Sequence, residues 1–159
     1  MPAPLRNHHP RNKHQTKYDI PALVEAHAPL GAHIFTNKYG TETINFSNPD
    51  AVLDLNTALL KSQYKLDYWN LPAGFLCPPV PGRADYIHHI ADLLAGDNPV
   101  NTIRTSKVNI LDVGCGASII YPIIGNAEYK WSFIGSDIND KALASVSYTH
   151  LTLPTTPYV

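Results

Sequence analysis

The chain of 159 residues is short of cysteine, methionine and charge, and each shortage narrows what it can be. Cys77 and Cys115 are its only cysteines, far apart and without a metal-ligand spacing. That excludes a disulfide framework and a cysteine-based zinc module, and it predicts a reducing compartment. No apolar run approaches the roughly 20 residues a membrane-spanning helix needs. The polar N-terminus also lacks the apolar core of a secretory signal. A cytoplasmic protein with no membrane partner is therefore expected. Charged residues make up only 16%, and the net charge is −1. Acids are absent before Asp19, whereas the first 18 residues hold Arg6, Arg11, Lys13 and Lys17 with His8, His9 and His14. A basic arm on a mildly acidic body is the outline of an anion or nucleic-acid contact. There is no internal repeat, and the length suits one domain burying roughly 68–70% of its unfolded surface.

Several stretches announce regular structure. Pro21 suits the first turn of a short helix to Ala28, capped by Asp19. Ile34 to Thr36, a turn at residues 37–40, and Thr41 to Phe46 read as strand, turn and strand. Asn48-Pro49-Asp50 is an N-cap, a first-turn proline and an acid against the helix dipole. The apolar face Val52, Leu55 and Leu59 predicts a helix from there to about Tyr64. Residues 71–82 carry four prolines and two glycines, so a fixed loop is expected, followed by a helix from Arg83 to Ala95 that Gly96 closes.

The informative stretch is Val108 to Asp137. Lys107 to Val113 predicts a buried parallel strand. A Gly114-Cys115-Gly116 loop follows, then a brief helix from Ile119 to Ile124 with Gly125 at its end. Trp131 to Ser136 is the second strand, and Asn139 or Asp140 caps another helix. Glycines at the carboxyl end of a strand let the backbone approach a ligand where a Cβ would collide. Asp137, 21 residues beyond Gly116, suits a carboxylate accepting hydrogen bonds from both ribose hydroxyls. Asp112 precedes the loop, where it would face a cationic amino or sulfonium group and repel a pyrophosphate. No third glycine directly follows Gly116, as it would in a dinucleotide fingerprint. S-adenosylmethionine is thus favoured over NAD, with a nicotinamide-dependent oxidoreductase as the alternative enzyme and a non-catalytic RNA-binding module as the alternative outside enzymes.

The stretch Ile110-Leu-Asp-Val-Gly-Cys-Gly-Ala-Ser-Ile-Ile-Tyr-Pro-Ile-Ile-Gly125, with Trp131-x-Phe-Ile-Gly-Ser-Asp137, resembles the RlmF-type family. These are adenine-N6 methyltransferases of large-subunit ribosomal RNA. His9-Pro-Arg-Asn-Lys-His14, Asn37-Lys-Tyr-Gly-x-Glu-Thr-Ile44, Phe46-x-Asn-Pro-x-Ala-Val52 and Pro78-Pro-Val-Pro-Gly-Arg-Ala-Asp-Tyr-Ile-His88 resemble the family's N-terminal blocks in the same order. The resemblance implies that Arg83 reaches the cofactor carboxylate, that Gly114 offers backbone contacts, and that Asp137 holds the ribose. It also implies that Arg11, Lys13 and Lys17 lie on phosphates of 23S rRNA. Tyr39 and Tyr121 are expected to pack, and His88 and His89 to be structural with no metal.

One family motif is missing. Such enzymes carry Asn-Pro-Pro-Phe after a later strand, holding the displaced adenine with its amine toward the methyl group. The motif does not occur in this sequence. The expected fold is α/β: a Rossmann-like class I methyltransferase sheet truncated after its second strand, preceded by a mixed α+β N-terminal region. Residues 1–18 are expected as a basic flexible arm and 19–106 as an RNA-binding and cofactor-covering region. Residues 107–145 would begin the methyltransferase domain, and 146–159, threonine- and proline-rich, would be a non-native tail. A monomer without catalytic activity of its own is the corresponding expectation.

Overall fold

The computed structural model describes residues 8–146, so Arg6 with the rest of residues 1–7, and residues 147–159, lie outside the described residues. Helix α1 spans Ile20–Ala26, and the Asp19 side chain accepts from the Ala22 N–H at 3.1 Å to cap it. Strands β1, Phe35–Thr36, and β2, Glu42–Thr43, are short and antiparallel. Helix α2 spans Pro49–Tyr64 with Asn48 accepting from the Asp50 N–H, as its start signal predicts. Helix α3 spans Val80–Ala95 and begins three residues before the expected Arg83. Pro81 and Gly82 form its first turn, where a proline has no helical N–H to lose.

Strand β3, Asn109–Val113, lies parallel to β4, Ser132–Ser136, with Leu111 opposite Ile134 and Asp112 opposite Gly135. Helix α4, Ile120–Tyr129, crosses between them, and α5 runs Asp140–Val146. The expectation of a single sheet truncated after its second strand is corrected. The four strands form two separate two-stranded sheets, β1–β2 and β3–β4, with no ladder between them. The sequence pattern identifies strands but not which of them pair, because pairing depends on how the intervening helices pack.

Gly125 does not end α4 as expected but lies inside it. A Cβ there would fall 2.4 Å from the Phe133 ring and 3.3 Å from the Trp131 indole. The glycine therefore sets how closely helix and sheet approach. Leu30, Leu59, Leu60, Ile87, Ile124, Tyr129 and Trp131 are fully buried in the core this creates. The other face of the parallel pair is open: Leu111 is 63% exposed, Val113 77% and Ile134 63%.

Residues 8–18, expected as a flexible arm, are packed from His8 onward. The Asn12 amide donates to Asp85 and to the Pro81 carbonyl, and His8 donates to the same carboxylate. His14 is buried between the hydroxyls of Tyr18 and Tyr64, at 3.0 and 2.9 Å. His88, on α3, lies 2.7 Å from the Tyr129 hydroxyl. Burial, with the nearby positive charges of His8 and Lys13, lowers the pKa of His14 to about 4. Burial also lowers His88 to about 4, against an opposing pull from Glu128. Both imidazoles are therefore neutral at pH 7.

A folded pKa below the unfolded value of about 6.5 gives stability that is complete above pH 6.5 and lost as pH falls toward 4. The urea midpoint, read by tryptophan fluorescence, should stay level from pH 7.5 to 6.5 and then drop, as the unfolding free energy falls by on the order of a few kcal/mol in total by pH 4.5. A midpoint unchanged at pH 4.5 would contradict the buried neutral histidines. The Gly125→Ala variant should lose about 1–3 kcal/mol in the same assay at pH 7.5, because the Phe133 ring must swing off the helix.

Candidate cofactor site at the glycine loop

The loop after β3 is held from the neighbouring strand. The N–H groups of Gly114 and Cys115 both donate to the Ser136 carbonyl, at 2.7 and 3.0 Å. Gly114 and Gly116 have φ of +76° and +64°, a region that costs residues with a Cβ. Nothing lies within 4 Å of the position of an added Cβ on either, so the space above the loop is open to a ligand. Ile119, at φ +42°, is a β-branched residue held in the left-handed region just before α4. The Trp69 indole N–H donates to the Ser118 carbonyl at 3.0 Å and anchors this turn from outside.

Asp137 sits at the end of β4 against the loop. Its Oδ2 accepts from the Gly116 N–H at 2.8 Å and its Oδ1 from the Asn139 N–H at 2.9 Å. These bonds hold its pKa below the ordinary carboxylate value. Each oxygen keeps a lone pair for a further donor. Asp112 is opposite in character. Its Oδ2 is buried without a partner, and burial raises its pKa. An unpartnered carboxylate at the mouth of the loop fits a cationic ligand group, which would supply the missing donor. Between them, the Cys115 thiol is raised by burial and then by the charges of Asp112 and Asp137. It is a packed thiol against Gly135, whose added Cβ would stand 3.0 Å from the Cys115 sulfur.

Of the other expected site residues, Arg83 stands in the first turns of α3 with its guanidinium 5.7 Å from the centre of the Tyr121 ring. Arg11 and Lys13 are engaged within the chain, although Lys13 stays exposed. Arg11 donates to the Tyr129 hydroxyl, the His88 carbonyl and Asp92, and Lys13 pairs with Glu128 at 2.6 Å. Lys17 is exposed at the rim of a cleft of about 700 Å³, beside Tyr18, Ile44, Phe46 and Leu55. That cleft lies between α2 and the β1–β2 hairpin, away from the glycine loop, which faces solvent directly.

Among the described residues, one group of side chains has ligand atoms as close as a metal site requires: His9, His89 and Asp92, all within 4.8 Å. The Arg11 backbone N–H donates to His9 Nδ1, which leaves the proton on Nε2, and Nε2 donates to Asp92 at 2.8 Å. The Arg11 guanidinium occupies the other oxygen of Asp92. This is a hydrogen-bonded latch that already contains its cation.

Sequence reasoning missed Trp69, Gly125 and the inward turn of Arg11. It also used the absent third glycine against a dinucleotide, yet Gly125 supplies the close helix–strand contact that such a glycine makes. The charge and orphaned oxygen of Asp112 are therefore the features that favour a cationic ligand.

Comparison with known proteins agrees with this geometry. The model of a family described as RNA methyltransferase matches residues 3–152. The ribosomal RNA large subunit methyltransferase F of Pseudomonas entomophila is 55% identical over 137 residues, covering 86% of this chain and 43% of its own length. The corresponding protein of Pectobacterium atrosepticum is 49% identical over 141 residues, covering 89% of this chain and 45% of its own. The chain thus spans less than half the length of these relatives. Among solved structures, the N-terminal domain of human METTL16 in complex with SAH is 29% identical with a TM-score of 0.77, covering 89% of this chain and 54% of that one. The human METTL16 catalytic domain with a MAT2A 3′UTR hairpin has a TM-score of 0.74 at 29% identity, covering 89% and 48%. With its match over nearly all its residues, the chain belongs to the RNA methyltransferase family.

Proposed function

We propose that this chain carries part of the cofactor site of an S-adenosylmethionine-dependent methyltransferase whose complete form methylates N6 of an adenine in 23S rRNA. The observation that carries this reading is the paired state of two carboxylates at one loop. Asp137 is ionised and oriented by the Gly116 and Asn139 N–H groups, and Asp112 is half-buried with its Oδ2 enclosed and unpartnered. One suits ribose hydroxyls and the other a positive amino-acid end. S-adenosylmethionine, when bound, supplies an electrophilic methyl group. Gly114 and Gly116 would admit it close to the backbone, and Arg83 would meet its carboxylate with a planar fork of donors.

The rRNA substrate is supported by the curated relatives, whose names state that they act on ribosomal RNA of the large subunit. Lys17 is the basic residue of the three best placed for phosphate, since Arg11 and Lys13 are engaged within the chain. The chain lacks the Asn-Pro-Pro-Phe that would hold the adenine, so 159 residues alone should be inactive.

Calorimetric titration should give tighter binding of S-adenosylhomocysteine than of NAD, and tighter NAD binding would reverse the assignment. Asp137→Ala should weaken S-adenosylhomocysteine by about tenfold or more, through loss of charge-assisted hydrogen bonds; unchanged affinity would remove its ribose role. Methyl transfer from labelled cofactor to 23S rRNA should be undetectable with this chain, and detection would refute its inactivity. If RNA binds through Lys17, Lys17→Ala should lower the salt slope of affinity by about one.

A further inference from the structure

Arg83 is a long cation with an unusual set of neighbours. No carboxylate of the described residues lies within ion-pair distance of its guanidinium. It lies instead over the ring of Tyr121, 5.7 Å from guanidinium carbon to ring centre. Tyr121 is the second residue of α4, the helix that the glycine loop leads into. Tyr86, one turn beyond Arg83 on α3, packs against the same ring at 5.1 Å with the planes tilted by 53°. Arg83 and Tyr86 thus hold the Tyr121 ring from two positions on one helix, while Tyr121 is carried by the other.

The start of α4 is itself fixed. The left-handed backbone of Ile119 and the bond from Trp69 to the Ser118 carbonyl set where Tyr121 emerges. A guanidinium lying on an aromatic face keeps its N–H donors pointing outward in its own plane. The cation–π contact therefore restrains Arg83 without consuming the donors that a carboxylate would need. An ion pair with a neighbouring acid would consume them.

We infer that Tyr121, braced by Tyr86, is a positioning residue that aims the Arg83 guanidinium at the carboxylate of the cofactor's amino-acid portion. This rests on the cofactor reading given above. Tyr121 would then couple the loop, which receives the ribose end, to the cation that receives the other end. Its hydroxyl takes no part, since only the ring face meets Arg83.

The test compares two ligands in the chain as it stands. S-adenosylhomocysteine carries the amino-acid carboxylate, and 5′-methylthioadenosine keeps the adenosine but lacks it. Dissociation constants are measured by calorimetry for the parent chain, Arg83→Ala, Tyr121→Phe and Tyr121→Leu. Tyr121→Leu should weaken S-adenosylhomocysteine about fivefold while leaving methylthioadenosine unchanged, and Tyr121→Phe should stay within about twofold of the parent for both. Equal weakening of both ligands by Tyr121→Leu would make the residue merely structural and overturn the inference. Arg83→Ala should weaken S-adenosylhomocysteine at least as much; if it does not, the role of Arg83 in the cofactor reading fails instead. A parent chain that binds neither ligand removes the cofactor reading and the inference with it.

Discussion

The Tyr129 hydroxyl is the point on which the arrangement of this chain depends. It accepts from the Arg11 Nε–H at 3.0 Å and lies 2.7 Å from His88 Nδ1, while the ring stacks on Trp131 at 4.7 Å. The hydroxyl thus bridges the Arg11 guanidinium and the neutral imidazole of His88. One buried group thereby joins the N-terminal segment, α3, the end of α4 and the start of β4. Its removal would leave buried donors and acceptors without partners, the costly direction of hydrogen-bond loss. The Trp131 indole extends the tie by donating to the Ile103 carbonyl at 2.8 Å, which pins the connection leading into β3.

The glycine loop inherits its geometry from that tie. With α4 anchored at Tyr129 and seated through Gly125 on Phe133, the crossover between the paired strands β3 and β4 is fixed. The Ser136 carbonyl can then take both loop N–H groups, and Asp137 can reach Gly116. The paired carboxylates differ because of their surroundings alone. Asp137 is surrounded by backbone donors, whereas Asp112 has been taken out of water with one oxygen unsatisfied. Two like side chains at one loop therefore present an ionised acceptor and a carboxylate that lacks a counter-charge.

Local chemistry made much of this legible from the residues. The start of α2 is written in Asn48-Pro49-Asp50, and Asp137 falls where a strand of five residues must end after a loop and a crossover helix. The misreadings all involve partners outside the local sequence pattern. Gly125 looks like a helix stop until Phe133 packs on it. Pro78 to Gly82 looks like unbroken loop until Asn12 and Asn56 satisfy its backbone, through the Pro81 carbonyl and the Val80 N–H. Arg11 and Lys13 look like an open basic arm because Asp92 and Glu128 are far along the chain. No local pattern marks such pairs, and the grouping of strands into two sheets is non-local in the same way.

The separation between Arg11 and Tyr129 is 118 residues, and that between His9 and Asp92 is 83. Closing loops of that size is entropically expensive, and its cost precedes the contacts that reward it. During synthesis the N-terminal segment leaves the ribosome first, and its binding partners on α3 and α4 follow 83 and 118 residues later. The segment from His9 to Arg11 must therefore remain undocked until Tyr129 has been translated, and its placement reports that α4 has reached its seat.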